Sequence, residues 1–422
     1  MLRLLFGIGL LSATALPPPA FAANAARTLQ IVVSTDRQSL AVYDGAEVVA
    51  TSKVSTGKQG HSTPNGIFSI LEKERYHASN IYSNSPMPFM QRLTWSGIAL
   101  HESGYVPGYP ASHGCVRMPK SFAQKLYQMT EPGVHVVITN QPAVPQPIEH
   151  ATLFHPPVSA LDMPLFSGLE LRPTNSIFVK ASEPIEVATN DTASLPVPTA
   201  TRQPPLIDQA PLRILITRRD LRGNVRDLQV LLSGMGYDAG MPDGMLGPTT
   251  VQAIGNFKKA HNVTATGGLV SAALMKAVYD IAGKGEPPNG TVMVRQGFRP
   301  VFEAPAMIAE PEQALGTHFF TAHDVDKIEG KAEWYGMTLE NDLSREAMKR
   351  LGITSEEQSN SLNAADHALD RITIPDDARR KIEDLLNAGS SLTISDTGVG
   401  PETGDGTDFI TITKNGGPSK KG

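Results

Sequence analysis

The sequence is nearly without cysteine: Cys115 is the one thiol in 422 residues. An intramolecular disulfide is therefore impossible, and a thiolate-rich zinc site is excluded because it would need further thiols. Dense basic runs are also missing. Lysine and arginine number 37 against 42 aspartates and glutamates, a net charge of -5. The chain thus lacks the positive footprint that a phosphate backbone demands, and nucleic acid is not expected as a partner. No stretch reaches the roughly 20 apolar residues that span a bilayer. What is present suits folded cores: hydrophobic residues make up 40% and charged residues 19%, which excludes a disordered polyelectrolyte. At roughly 100–200 residues per domain, the length implies two to four folded units.

The N terminus reads as a processing segment. Arg3 gives a short positive start, Leu4 to Leu16 is apolar, Pro17-Pro18-Pro19 ends the run, and Ala20-Phe21-Ala22 offers a small-x-small cleavage pattern. Residues 1–22 are expected to be a signal peptide and the mature chain to reside in the periplasm.

Residues 28–140 read as a mainly-β unit. Thr28 to Ser34 and Ser39 to Val54 are rich in Val, Ile, Leu and Tyr and are broken at Asp44-Gly45 and Thr56-Gly57. Gly66 to Leu71, Gly97 to His101 and Val134 to Thr139 continue the extended pattern. After Cys115, Phe122, Leu126 and Met129 share one helical face, stopped by Pro132-Gly133. Residues 141–211, with scattered proline and no sustained period, read as a Pro-rich linker. Residues 212–283 read as helical, with stripes at Leu228, Leu231, Leu232 and at Val251, Ile254, Phe257 around a glycine-rich turn, Gly236 to Gly247. Residues 290–414 mix both types, with an amphipathic helix at Asp376 to Leu386 and strand-like Ser391 to Ile394 and Phe409 to Thr413. The acidic residues Asp396, Glu402, Asp405 and Asp408 do not fit the spacing of a calcium loop and read as a solvated loop. Trp334 reads as core.

The chemistry converges on Ser112-His113-Gly114-Cys115-Val116-Arg117, with His101 upstream at the end of an apolar strand. A neighbouring imidazole can stabilise a thiolate and lower its pKa, which leaves both His101 and His113 open as the base. Gly114 allows a backbone conformation in which amide N–H groups point at a developing oxyanion. Arg117 can pair with a carboxylate in bidentate fashion. No metal and no cofactor is called for by these residue types.

Gly97-Ile98-Ala99-Leu100-His101 and Gly108-Tyr109-Pro110-Ala111-Ser112-His113-Gly114-Cys115-Val116-Arg117 closely resemble the catalytic signature of the YkuD-type L,D-transpeptidases. Val54-Ser55-Thr56-Gly57 and Thr63-Pro64-Asn65-Gly66-Ile67-Phe68 resemble two further signatures of the same domain. Residues 227–263, with Asp243-Gly244 and Gly247-Pro248-Thr249-Thr250, resemble a three-helix peptidoglycan-binding module. The fold class implied is multidomain: a YkuD-like β-sandwich with a short helix, a small three-helix domain and an α+β C-terminal segment without assigned chemistry.

The resemblance further implies a cysteine acyltransferase acting on peptidoglycan stem peptides. Cys115 would attack the third stem residue and expel D-alanine, with His101 the main base and His113 a secondary candidate that shapes the turn. Ser112, Gly114 and Arg117 would form the oxyanion and substrate-binding group. The acceptor would be an amine of another stem, giving a 3-3 crosslink, or of an outer-membrane protein or lipoprotein. A hydrolase of the same fold shares the acyl-enzyme half and stays open. A non-catalytic wall-binding scaffold is the rival of another class, and the intact signature argues against it.

Overall fold

The protein is represented by a computed structural model that describes residues 27–79, 84–158, 210–264, 267–356 and 363–414. The expected signal peptide, residues 159–209 of the expected linker and the chain from Asn415 lie outside the described residues. Strands β1 (Leu29–Ser34), β2 (Ser39–Asp44), β3 (Glu47–Lys53), β4 (Asn65–Ser69), β5 (Glu72–Glu74), β6 (Met90–Arg92), β7 (Ala99–Glu102) and β8 (Val116–Met118) precede helix α1 (Lys120–Met129) and β9 (His135–Thr139). Next come β10 (Gln146–Ile148), β11 (Leu212–Arg218) and helices α2 (Leu221–Gly234), α3 (Pro248–Ala260) and α4 (Ala272–Ile281). The rest comprises β12 (Gly290–Gln296), β13 (Arg299–Ile308), β14 (Thr317–Asp326), β15 (Lys331–Leu339), α5 (Arg345–Leu351), α6 (Ala364–Asp370), β16 (Ile372–Thr373), α7 (Asp376–Leu385), β17 (Ser391–Ser395) and β18 (Thr411–Lys414).

The architecture is multidomain, with a mainly-β first unit, a helical second and an α+β third. The first unit holds a six-stranded sheet ordered β18-β4-β9-β1-β2-β3 and a four-stranded sheet β5-β6-β7-β8. Alternation along β1 sets what each face buries. Ile31 and Val33 join Phe68, Leu100, Val116, Leu126 and Val136 in the first unit's core, while Val32 points the other way. On that second face Val32, Ile67 and Val137 pack against Phe319, Met337 and Leu339 of the third unit. Both faces of the sheet are thus covered, which is why its central strands carry adjacent apolar residues, Ile31-Val32-Val33 on β1, Ile67-Phe68 on β4 and Val136-Val137-Ile138 on β9. Helix α1 buries Ala123 and Leu126, with Phe122 and Met129 half-buried at its flanks.

The helical unit is organised around Leu228, Leu232, Ile254, Phe257, Leu274 and Val278, all buried. Burying each such side chain contributes about 1.5–3 kcal/mol relative to leaving it in water. Gln229 fixes the glycine-rich turn: its amide donates to Asp243 Oδ1 at 3.0 Å and Thr250 Oγ1 at 3.1 Å, and its oxygen accepts from Gly244 N at 2.8 Å. Val251, expected on the apolar stripe, is exposed, and Ala253 takes the inward position.

Four sequence expectations meet a different arrangement. Leu212–Arg218 lies outside the helical unit and forms β11, a strand between β17 and β12 in the eight-stranded sheet, because all seven residues are buried and the run is rich in Leu and Ile. Gln146–Ile148, within the expected linker, pairs with β15, and Leu153 and Phe154 enter the third unit's core. The strand near Phe409, expected to belong to the C-terminal segment, begins at Thr411 and pairs with β4 of the first unit. Asp396 and Asp408 are not solvated. Asp396 accepts from Arg218 Nε at 2.7 Å and from the Leu315 and Gly316 amides, and Asp408 pairs with Arg213 at 2.9 Å. Trp334 is buried and donates to Phe154 O at 2.9 Å, as a core residue does.

Candidate active site

Strands β7 and β8 run parallel, with Leu100 beside Val116 and His101 beside Arg117. Leu100, Val116 and Met118 enter the core, so by alternation His101, Cys115 and Arg117 occupy the opposite face. Cys115 packs there against Met87, Met90 and Ala99. The sheet thus brings the thiol, one imidazole and a guanidinium to one surface from two short strands.

His101 is buried, and its Nδ1 lies 2.7 Å from Glu102 O. A carbonyl only accepts, so Nδ1 carries the proton and Nε2 keeps its lone pair. Burial lowers its pKa to about 4, opposed by the Glu102 hydrogen bond and reinforced by Arg117 and His77. The ring is a neutral base at neutral pH. Burial likewise pushes the Cys115 thiol up, against a backbone hydrogen bond and the positive charges of Arg117 and Arg92. The sequence reading expected the reverse, a thiol lowered by imidazole. Instead, Cys115 Sγ donates to Gly97 O at 3.3 Å, and desolvation outweighs the charges.

His113 sits elsewhere. It is exposed, with its ring 4.7 Å from that of His61, and its pKa is lowered by burial and by Lys58, His61 and Arg117. Ser112 is buried. Its Oγ donates to Cys115 O at 2.5 Å and accepts from Gly114 N at 3.2 Å, closing a tight turn in which Gly114 has φ +113°. That left-handed backbone requires glycine there, while a Cβ would only displace the tip of the Ile98 side chain. The expected oxyanion donor at Gly114 is thus engaged by Ser112 in this state. Arg117 Nη1 donates to Ala111 O at 3.4 Å, and among the described residues no carboxylate pairs with it.

Residues without an individual role in the sequence reading support this loop. Thr63 Oγ1 donates to Gly114 O at 2.7 Å and accepts from Gly57 N at 2.8 Å. Thr56 O accepts from the Ala111 and Ser112 amides, both at 2.9 Å, while Thr56 itself is held by Gln38 through its amide, 2.8 Å, and hydroxyl, 2.7 Å. Ser55 pairs through its backbone with Arg117, and its hydroxyl donates to Tyr109 O at 2.7 Å. Tyr109 and Tyr105 join hydroxyls at 2.7 Å, both rings exposed. Ser55, Thr56 and Thr63 stand inside the two upstream signatures, which is the signal that could have found them; Gln38 carried none. Among the described residues no group of three or more His, Cys, Asp or Glu side chains could hold a metal ion, and no helix is long and apolar enough to cross a membrane.

Residues 29–138 match the family model of the L,D-transpeptidase catalytic domain, YkuD. Residues 222–277 match that of a peptidoglycan binding domain. No curated protein matches the chain. Similar solved structures include an L,D-transpeptidase (Yku) from Stackebrandtia nassauensis, 28% identical over 30% of this chain and 62% of that one, TM-score 0.26. An L,D-transpeptidase from Mycobacterium smegmatis is 23% identical over 27% of this chain and 59% of that one, TM-score 0.26. One from Enterococcus faecium is 26% identical over 26% and 49%, TM-score 0.24. The chain spans less than two thirds of the length of each. The chain therefore carries a YkuD-type L,D-transpeptidase catalytic domain at residues 29–138, followed at residues 222–277 by a peptidoglycan-binding domain.

Proposed function

We propose that the protein is a peptidoglycan L,D-transpeptidase in which Cys115 is the nucleophile and His101 the base. The observation that carries this reading is the shared sheet face of Cys115 and His101, with Nδ1 tied to Glu102 O and Nε2 left as acceptor. Cys115 Sγ attacks the carbonyl of the third stem residue, and its proton passes to His101 Nε2. The tetrahedral intermediate collapses with cleavage of the C–N bond, and the imidazolium returns the proton to the departing D-alanine amine. A thioester remains. An acceptor amine then loses its proton to Nε2 and attacks, forming a new amide while the C–S bond breaks and the thiol is restored. Two lower barriers replace one high one.

With a raised thiol pKa, the resting enzyme holds a neutral thiol and a neutral imidazole, and the thiolate forms only as the attack proceeds. The backbone amides of Gly114 and Cys115 stabilise the oxyanion. Gly114 N exchanges its long 3.2 Å bond to Ser112 Oγ for a charged acceptor, which binds about twice as strongly. Arg117 attracts a substrate carboxylate, and His113, packed on His61 at the surface, shapes the loop. The helical module tethers the enzyme to glycan and stem peptides in the periplasm, where an outer-membrane protein or lipoprotein amine is a further candidate acceptor.

The test is product analysis by mass after incubation with tetrapeptide-bearing muropeptides, with and without an added amine. Crosslinked dimers or amine-capped tripeptides are expected. Free tripeptide alone, whatever the acceptor concentration, would assign the hydrolase reading instead.

A further inference from the structure

The third unit reaches the loop that carries Cys115 through one buried carboxylate. Glu340 follows β15 and is buried against three neighbouring strands of the six-stranded sheet. Its Oε1 accepts from Asn65 Nδ2 on β4 at 2.5 Å and from Thr413 Oγ1 on β18 at 3.3 Å, and its Oε2 accepts from Thr139 Oγ1 at the end of β9 at 2.8 Å. Asn65 is separated from Thr63 only by Pro64, whose ring fixes φ near about -65° and restrains the residue before it. The link is therefore stiff. Thr63 in turn holds Gly114 O and Gly57 N. The chain that follows the third unit also closes on β4 from the side: β18 lies so near that a Cβ at Gly66 would meet Thr411 O at 2.2 Å.

We infer that Glu340 is a positioning residue for the proposed transpeptidation: by holding Asn65 it sets Thr63, and through Thr63 the Gly114-Cys115 turn. The inference rests on the proposed role of Cys115. It gives the C-terminal segment a task, since the catalytic domain takes part of its active-site support from outside residues 29–138.

The experiment compares full-length wild type, Glu340→Ala, Glu340→Gln, Asn65→Ala and the Glu340→Ala/Asn65→Ala double variant. Turnover of a tetrapeptide stem with an amine acceptor should show kcat lowered ~10- to ~100-fold in both alanine variants, the cost of misplacing reacting groups by a fraction of an ångström to 1 Å, with KM little changed. The double variant should be no slower than the single ones, because both break one link. Glu340→Gln should restore most of kcat, since its amide oxygen still accepts from Asn65. Wild-type kcat in Asn65→Ala or in a folded Glu340→Ala, with only the melting temperature lowered, would overturn the inference. So would multiplying losses in the double variant.

Iodoacetamide labelling of Cys115 reads the loop without substrate. A loosened turn exposes the thiol, lowers its raised pKa and speeds alkylation by ~3-fold or more in the alanine variants but not in Glu340→Gln. Equal labelling rates throughout count against the positioning role. This labelling pattern in a protein that turns over no stem peptide contradicts the proposed function instead.

Discussion

Burial of His101 fixes where the chemistry should fail in acid. With its pKa lowered to about 4, the ring stays an unprotonated base far below the range of a solvated imidazole, so kcat/KM should keep its acid limb near pH 4. A pH–rate profile with the limb near 6.5 would point to a solvent-facing base and away from His101. The same shift is linked to stability. Against 6.5 in the unfolded chain, the unfolded state takes up the proton first as pH falls. The contribution of the neutral ring is therefore complete above about 6.5 and is lost on descending to about 4. Cys115 and His101 were legible in the sequence because each lies in a short local pattern, and the parallel register of β7 and β8 brings those patterns together. The raised thiol pKa was not legible, since it depends on the shell of Met87, Met90 and Ala99 that the fold assembles from other segments.

At the scale of elements, β18 is the strand whose loss is most informative. It closes the β4 edge of the six-stranded sheet, pairing Thr411 with Ile67 and Ile412 with Gly66. A chain ending at Ile410 would leave the N–H and C=O groups of β4 unpaired beside the Cys115 loop. That edge invites pairing with another chain. Such a truncation should lower the melting temperature and form aggregates by light scattering, whereas wild-type melting and a monodisperse profile would show that β18 is dispensable. The strand character of residues 409–413 was readable from their composition. Its partner was not, because nothing in an apolar pentapeptide names a strand more than 340 residues earlier in the chain. Leu212–Arg218 shows the complementary failure: the run stands next to a helical unit and was grouped with it, although seven buried residues in succession suit a covered strand.

At the scale of the whole molecule, buried arginines join the units. Arg213 on β11 pairs with Asp408, both nearly inaccessible, and donates to Gly389 O at 2.6 Å and to Gly133 O of the first unit at 2.7 Å. Removing one partner of such a pair leaves an uncompensated charge in the interior. Arg213→Ala should cost about 3–5 kcal/mol. The change should be read as a lower urea midpoint, and an unchanged midpoint would show that the junction between units carries no stability. Asp408 was read as solvated because an acidic stretch with glycines resembles a surface loop, and only the position of Arg213 in the fold reveals its partner.

These scales meet at Cys115, on which the proposed activity depends. The most direct test is intact-protein mass spectrometry of full-length enzyme incubated with a tetrapeptide stem and no acceptor, beside Cys115→Ala. The account predicts a single adduct on wild type, heavier by the stem less its terminal D-alanine and mapping to Cys115, with no adduct on the variant. An adduct of equal yield on Cys115→Ala, or stem turnover undiminished in that variant, would contradict it.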